Sequence, residues 1–184
     1  MKRKISVIIV LIILLQMLIP LMKVSAIEKT KEEILGSMTT EEKIAQMLMP
    51  AFRTYNGSNV TSINEKIEEI LAKRGFAGVI LFGQNNTSTE QTVTLIDSMQ
   101  KANIKNEDRP QLLVSVDQEG AGVARLAQGI KGPGNMALGA TGDSKNAYDI
   151  AEIMGEELNA LGYNVDFAPV VDVNNNPSNP LYCS

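Results

Sequence analysis

Two acids and a guanidinium stand where a parallel α/β protein carries its chemistry. Residues 111–120 read Gln-Leu-Leu-Val-Ser-Val-Asp-Gln-Glu-Gly: an apolar stretch of buried-strand type stops at Asp117 and Glu119, glycines follow, and Arg125 lies eight residues beyond Asp117. The C-terminal ends of parallel strands form the face at which such folds bind ligands. An ionised carboxylate only accepts hydrogen bonds, so Asp117 suits substrate hydroxyls, which it would hold with charge-assisted strength. The Gly120-Ala121-Gly122 turn gives the chain a way to return Arg125 to the same mouth. The alternative is that Asp117 or Glu119 pairs with Arg125 merely to close the loop. A second stretch, residues 165–173, delivers Asp172 close to its end. Asp172 is either a second ligand group or a partner for the backbone of the Asn174-Asn175-Asn176-Pro177 turn, and the turn is the favoured reading. Asp166, early in that stretch, reads as structural. Two strands ending on acids suggest a carbohydrate-handling or similarly hydrophilic site without identifying it.

The elements that would carry these residues are legible as periodic runs. Thr39 and Glu42 have the spacing of a capping box, and Ile44, Met47 and Leu48 then follow one helical face. Pro50 ends that helix or starts a turn into a strand, and residues 56–59 form a loop. A second helix is expected over 62–74, buried through Ile63, Ile67, Ile70 and Leu71 and closed by Gly75. Residues 77–82 form a short apolar run of the kind buried on both faces of a sheet, with a loop at 83–87. A third helix over 88–102 buries Val93, Leu95, Ile96 and Met99, and the strand ending at Asp117 follows. The glycine-rich span 129–142 reads as a loop lying over a site. Ser144 is expected to cap a helix over 145–161, with Ala147, Ile150, Ala151, Met154 and Leu158 on one face; Gly162 stops it before the strand 165–173. The order βαβαβ gives a parallel sheet with right-handed crossovers.

Composition excludes several classes. Lys2, Arg3 and Lys4 precede an almost unbroken aliphatic run from Ile5 to Leu15, and Val24-Ser25-Ala26 supplies a small-residue cleavage site, so residues 1–26 read as an export signal. The alternative is an uncleaved anchor, which would be the chain's one link to a membrane. Either way the product is expected outside the cytoplasm. Residues 1–26 hold four basic side chains and no acid, so their removal doubles the net negative charge of −4. No basic stripe remains to meet nucleic acid. The lone Cys183 forms no internal disulfide, and the complete lack of histidine excludes a Ser–His or Cys–His triad and a His-ligated metal. Met47, Met49, Met136 and Met154 read as core fillers, and Gly132-Pro133-Gly134 is no phosphate loop.

Several segments, in order, resemble the N-terminal domain of glycoside hydrolase family 3, in its β-N-acetylhexosaminidase branch. Met38-Thr39-Thr40-Glu41-Glu42-Lys43-Ile44-Ala45-Gln46-Met47 is similar to the family's opening helix, and Ala77-Gly78-Val79-Ile80-Leu81-Phe82 to an early barrel strand. Val116-Asp117-Gln118-Glu119-Gly120-Ala121-Gly122-Val123-Ala124-Arg125-Leu126 is similar to the signature Asp-Gln-Glu-Gly-Gly-Arg-Val-x-Arg, with Ala121 and Gly122 where Gly and Arg are usual. Phe167-Ala168-Pro169-Val170-Val171-Asp172-Val173-Asn174 is similar to the next strand and turn. The Asp-Gln-Glu wording favours hexosaminidases over the family's β-glucosidases.

The resemblance implies a (β/α)8 TIM-type barrel that removes terminal β-linked N-acetylglucosamine from peptidoglycan fragments or related glycans, without metal or cofactor. It implies that Asp117 and Arg125 bind the nonreducing sugar, with Glu119 and Asp172 as possible support for the site loops. The family's Lys-His pair, its general acid/base histidine and its nucleophilic Asp have no counterpart here, so no catalytic residue is assigned. The span 27–184 also falls short of the ~250 residues of a typical barrel. The expected architecture is therefore α/β, a partial barrel comprising its first half only, preceded by the signal peptide at 1–26. A half barrel is expected to leave inward-facing Val79, Leu81 and Val114 without opposing layers. The alternative from another class is a non-catalytic sugar-binding or envelope module.

Overall fold

The computed structural model describes residues 30–104, 109–172, 175, 176 and 178. The expected signal at 1–26, Cys183, and Asn174 and Pro177 of the turn expected after Asp172 lie outside the described residues. The chain divides into two units at Gly36. The helix at that boundary, α1 (Lys31–Ser37), buries none of its residues and is capped reciprocally: Glu33 N donates to Thr30 Oγ1 (3.2 Å) and Thr30 N to Glu33 Oε2 (2.7 Å).

In the second unit, α2 (Thr40–Ala45) starts with the expected capping box: Glu42 N donates to Thr39 Oγ1 and Thr39 N to Glu42 Oε2. Those bonds hold the Glu42 carboxyl below its ordinary pKa, the Thr39 backbone bond being the larger cause. The burial expected for Ile44, Met47 and Leu48 is not found, for they are 55%, 82% and 50% exposed. The helix stops after six residues, so Met47 and Leu48 belong to a turn and helical spacing no longer aligns them with Ile44. Gln46 anchors that end instead, donating through Nε2 to the carbonyls of Gly75 (2.8 Å) and Phe76 (3.2 Å). At the loop expected at 56–59, β1 (Thr54–Tyr55), just before it, and β2 (Ser58–Asn59), inside it, form a small hairpin. Asn56 and Gly57 both take positive φ, as a type I′ turn requires.

α3 (Glu65–Arg74) starts later than expected because Asn64 wins the cap, its side chain accepting from Ile67 N. Gly75 closes the helix with φ 65°, and Arg109 completes that end by donating to the carbonyls of Leu71, Ala72 and Lys73. α4 (Thr89–Asn103) is capped by Ser88, and α6 (Ser144–Leu161) by Asp143 rather than Ser144, which is its first helical residue. The glycine-rich span 129–142 is not all loop, since α5 (Asn135–Ala140) lies within it.

Three strands form a parallel sheet in chain order: β3 (Gly78–Ile80), β4 (Leu113–Val116) and β5 (Val165–Asp166). Ala51 bridges Ile80 in parallel, adding one more position beside β3. The register sets Val79 against Val114 and Ile80 against Ser115. Val79, Leu81, Val114 and Val116 are buried in one cluster with Ile67 and Leu71 of α3 and Leu95, Ile96 and Met99 of α4. Val79, Leu81 and Val114 thus belong to the helix-covered face, not to a face lacking its opposing layer. Strand alternation gives the other face to Ile80, Ser115 and Val165. Val93, expected in the core, is 41% exposed.

Candidate functional site

Asp117 is the first residue past β4, and Asp166 at the end of β5 is the register partner of Val116, so two carboxylates leave neighbouring strand ends one position apart, on opposite faces by strand alternation. Asp166 does more than fill the strand: its Oδ1 accepts the Gln118 N–H at 2.9 Å, tying the two strand ends together. The chain then reverses. Glu119 N and Gly120 N both donate to Val123 O (2.9 and 3.2 Å), and Val123 N donates back to Gly120 O (3.0 Å). Ala121 takes φ 46° as the first central residue of this turn, a left-handed conformation that glycine adopts without cost. Ala121 stands where the family signature has glycine. The turn nevertheless forms and is fastened from outside, for Ala121 N donates to the carbonyls of Lys131 and Gly132.

This reversal returns Arg125 toward the end of β4, as its spacing suggested. Ion pairs join Lys66 to Glu69, Lys101 to Asp97 and Lys145 to Asp149 on helix surfaces, and none among the described residues joins Arg125 to Asp117 or Glu119. Arg125 therefore does not close the loop by pairing with Asp117 or Glu119. Its Nε is buried without a hydrogen-bond partner. The Glu119 carboxyl lies above its ordinary pKa, chiefly because burial penalises its charge; Asp117 and Asp166 push the same way and Arg125 opposes them. Burial likewise raises Asp166, with the Gln118 N–H opposing and Asp117 reinforcing.

Asp172 is exposed and is not among the charges acting on Glu119 or Asp166. The strand expected to carry it to the site is short. β5 ends at Asp166, Phe167 N makes one more bond to Val116 O, and Pro169 has no N–H to continue the ladder. Asp172 thus follows an unpaired segment rather than a strand end.

Gln118 escaped the sequence reading although it is 1% exposed. A usable signal exists: between two acids at a strand end, period-2 alternation turns the middle side chain into the fold. A cavity of about 680 Å³ opens between α5, α6 and the strand ends. Gln118, Glu119 and Asp166 form a polar edge at the strand ends and Asn135, Asp143 and Ser144 another at the helix starts, while Leu138, Ala147, Ile150, Ala151 and Met154 make much of the wall between them aliphatic. Asp117 and Arg125 are not on that wall, so the cavity is not the mouth their chemistry would serve. Among the described residues no three His, Cys, Asp or Glu side chains are grouped to hold a metal ion.

Comparison with known proteins decides the family. The profile described as "Glycosyl hydrolase family 3 N terminal domain" matches residues 39–183, nearly the whole second unit. The chain belongs to glycosyl hydrolase family 3. Its mixed α/β fold agrees with the TIM-barrel-like N-terminal domain of that family. Curated relatives include beta-hexosaminidase A of Pseudoalteromonas piscicida, 36% identical over 159 residues, which are 78% of this chain and 27% of the relative. The beta-hexosaminidase of Alkalilimnicola ehrlichii is 34% identical over 64% of this chain and 34% of its own length. Among solved structures, a glycoside hydrolase family 3 beta-N-acetylglucosaminidase from Paenibacillus sp. is 38% identical with a TM-score of 0.70, covering 79% of this chain and 26% of that one. NagZ from Neisseria gonorrhoeae in complex with N-trifluoroacetyl-D-glucosamine is 25% identical with a TM-score of 0.56, over 68% of this chain and 37% of that one. The chain thus spans roughly a quarter to a third of the family 3 relatives it matches.

Proposed function

We propose that this chain is the sugar-gripping N-terminal part of a glycoside hydrolase that removes terminal β-linked N-acetylglucosamine from peptidoglycan fragments or related glycans. The observation that carries the reading is the pair Asp117 and Arg125. One leaves the end of a central strand, a tight turn returns the other, and neither is spent on an ion pair among the described residues. A carboxylate accepts from sugar hydroxyls and a guanidinium donates to them, so the two together define a polyol's orientation. Glu119 supports the loop from the turn, with its carboxyl held toward the neutral form by burial. The names of the relatives agree with N-acetylglucosamine as the sugar.

The four parallel positions, Ala51, β3, β4 and β5, support the first half of a (β/α)8 barrel over 27–184. The nucleophile and acid/base required by a retaining glycosidase are not assigned to any of these 184 residues. The basic and aliphatic character of residues 1–26 supports an extracytoplasmic protein, with the membrane touched only through that segment where it stays attached.

The test is hydrolysis by the whole protein of 4-nitrophenyl β-N-acetylglucosaminide beside the β-glucoside. Turnover of the first and not the second is expected. Turnover of the glucoside alone would move the protein to the β-glucosidase branch, and turnover of neither would overturn the hydrolase reading.

A further inference from the structure

Two buried amide side chains, from different parts of the fold, close on the main chain of one residue. Gln118 is 1% exposed and Asn86 is 5% exposed. The Gln118 Oε1 accepts the N–H groups of Arg125 (2.7 Å) and Leu126 (3.4 Å), while its Nε2 donates to Ile130 O (3.2 Å). The Asn86 Nδ2 donates to the Arg125 carbonyl (3.1 Å) and to Phe82 O (3.3 Å). Its Oδ1 accepts from Tyr163 Oη (2.7 Å) and Thr92 Oγ1 (3.3 Å), so all four hydrogen-bonding positions of that amide are used. Arg125 is therefore gripped at its N–H by the loop after β4 and at its C=O by the loop after β3. Fixing the peptide planes on both sides of a Cα fixes the direction in which its side chain departs.

We propose that Gln118 and Asn86 are positioning residues, a two-sided clamp on the Arg125 backbone that aims its guanidinium at the sugar held by Asp117. Buried amides carry a desolvation cost that their hydrogen bonds to the loop main chain offset. Here both amides converge on the residue assigned to ligand binding. The inference rests on the proposed function, because it takes Arg125 as a sugar ligand.

A double-mutant cycle in the whole protein tests it, with N-acetylglucosamine binding followed by calorimetric titration and folding by thermal melting. Arg125→Ala is expected to weaken binding on the order of a hundredfold. Gln118→Leu and Asn86→Leu are each expected to weaken it about tenfold when Arg125 is present and less than about twofold in the Arg125→Ala background. Equal losses in the two backgrounds, or unchanged binding by both leucine variants, would overturn the clamp. Where a leucine variant does not melt cooperatively, Gln118→Glu and Asn86→Asp replace it in the same cycle. Gln118→Glu keeps an acceptor for the Arg125 N–H and is expected to keep affinity; Asn86→Asp loses the donor to the Arg125 carbonyl and is expected to weaken binding only beside Arg125. The opposite pattern would overturn the clamp. No binding by the parent protein, or undiminished binding by Arg125→Ala, overturns the sugar reading itself and the clamp with it.

Discussion

The β3–β4 part of the sheet and its α6–β5 end differ in how their apolar surface is used. Around β3 and β4, the side chains Val79, Leu81, Val114 and Val116 share one buried cluster with α3 and α4. Around β5, by contrast, α6 buries Met154 and Leu158 while Ala147 and Ala151 stay exposed along an aliphatic cavity of about 680 Å³. In both regions an amphipathic helix leads into a parallel strand. They differ in whether a neighbouring element covers the second side of the helix. Patterning identifies the apolar face, and only tertiary partners decide how much of it is buried.

The sharpest way to break this comparison is Leu71→Ala against Ile150→Ala. Leu71 is fully buried in the α3–α4 cluster, and its truncation is expected to cost about 2–5 kcal/mol by denaturant unfolding. Ile150 lines the open cavity and already meets free space, so its truncation is expected to cost under about 1 kcal/mol. Equal losses would mean that the two sides are packed alike. Gly78→Ala comes next: its Cβ would fall against the Leu113 carbonyl and 2.8 Å from Leu113 Cβ, across the β3–β4 register. The expected cost is about 1–3 kcal/mol, the range of overpacking in a filled site, read as a lowered Tm.

The sequence made the first region readable and the second only partly so, for reasons tied to particular residues. The capping box of Thr39 and Glu42, the Gly75 stop and the β3-α4-β4-α6-β5 order depend on local chemistry, and all were legible. The side of Val79 and Val114 was not, because an apolar run buried on both faces carries no alternation to read. α5 was hidden by glycines at 129, 132, 134, 139 and 142, although Met136, Ala137 and Leu138 between them are good helix formers. At the site, the Asp117–Arg125 spacing was informative because glycines on both sides of Ala121 permit the tight reversal that brings the chain back. The Asn86 contact with Arg125 spans 39 residues, and no local pattern encodes it.

Smaller effects refine the loop. Ala121→Gly should relieve a left-handed non-glycine residue and raise stability by up to about 1–2 kcal/mol, seen as a higher Tm. A change in the other direction would show that the Ala121 methyl group packs usefully against Gly134. The smallest effect concerns pH. Glu119 and Asp166 hold their protons to higher pH in the folded chain than when unfolded, so the folded state binds more protons. Their contribution therefore falls as pH rises from the ordinary carboxylate range, about 4, through the raised values. The paired substitution Glu119→Gln with Asp166→Asn removes both charges and leaves an amide oxygen to accept from Gln118 N. Its Tm is expected to fall less than the parent's between about pH 4 and pH 7. Parallel Tm curves would contradict the burial argument.

The most direct measurement is a crystal structure of the whole protein soaked with N-acetylglucosamine. The account predicts sugar hydroxyls within about 2.7–3.2 Å of both the Asp117 carboxylate and the Arg125 guanidinium. A sugar bound elsewhere, with Arg125 folded onto Glu119, would contradict it.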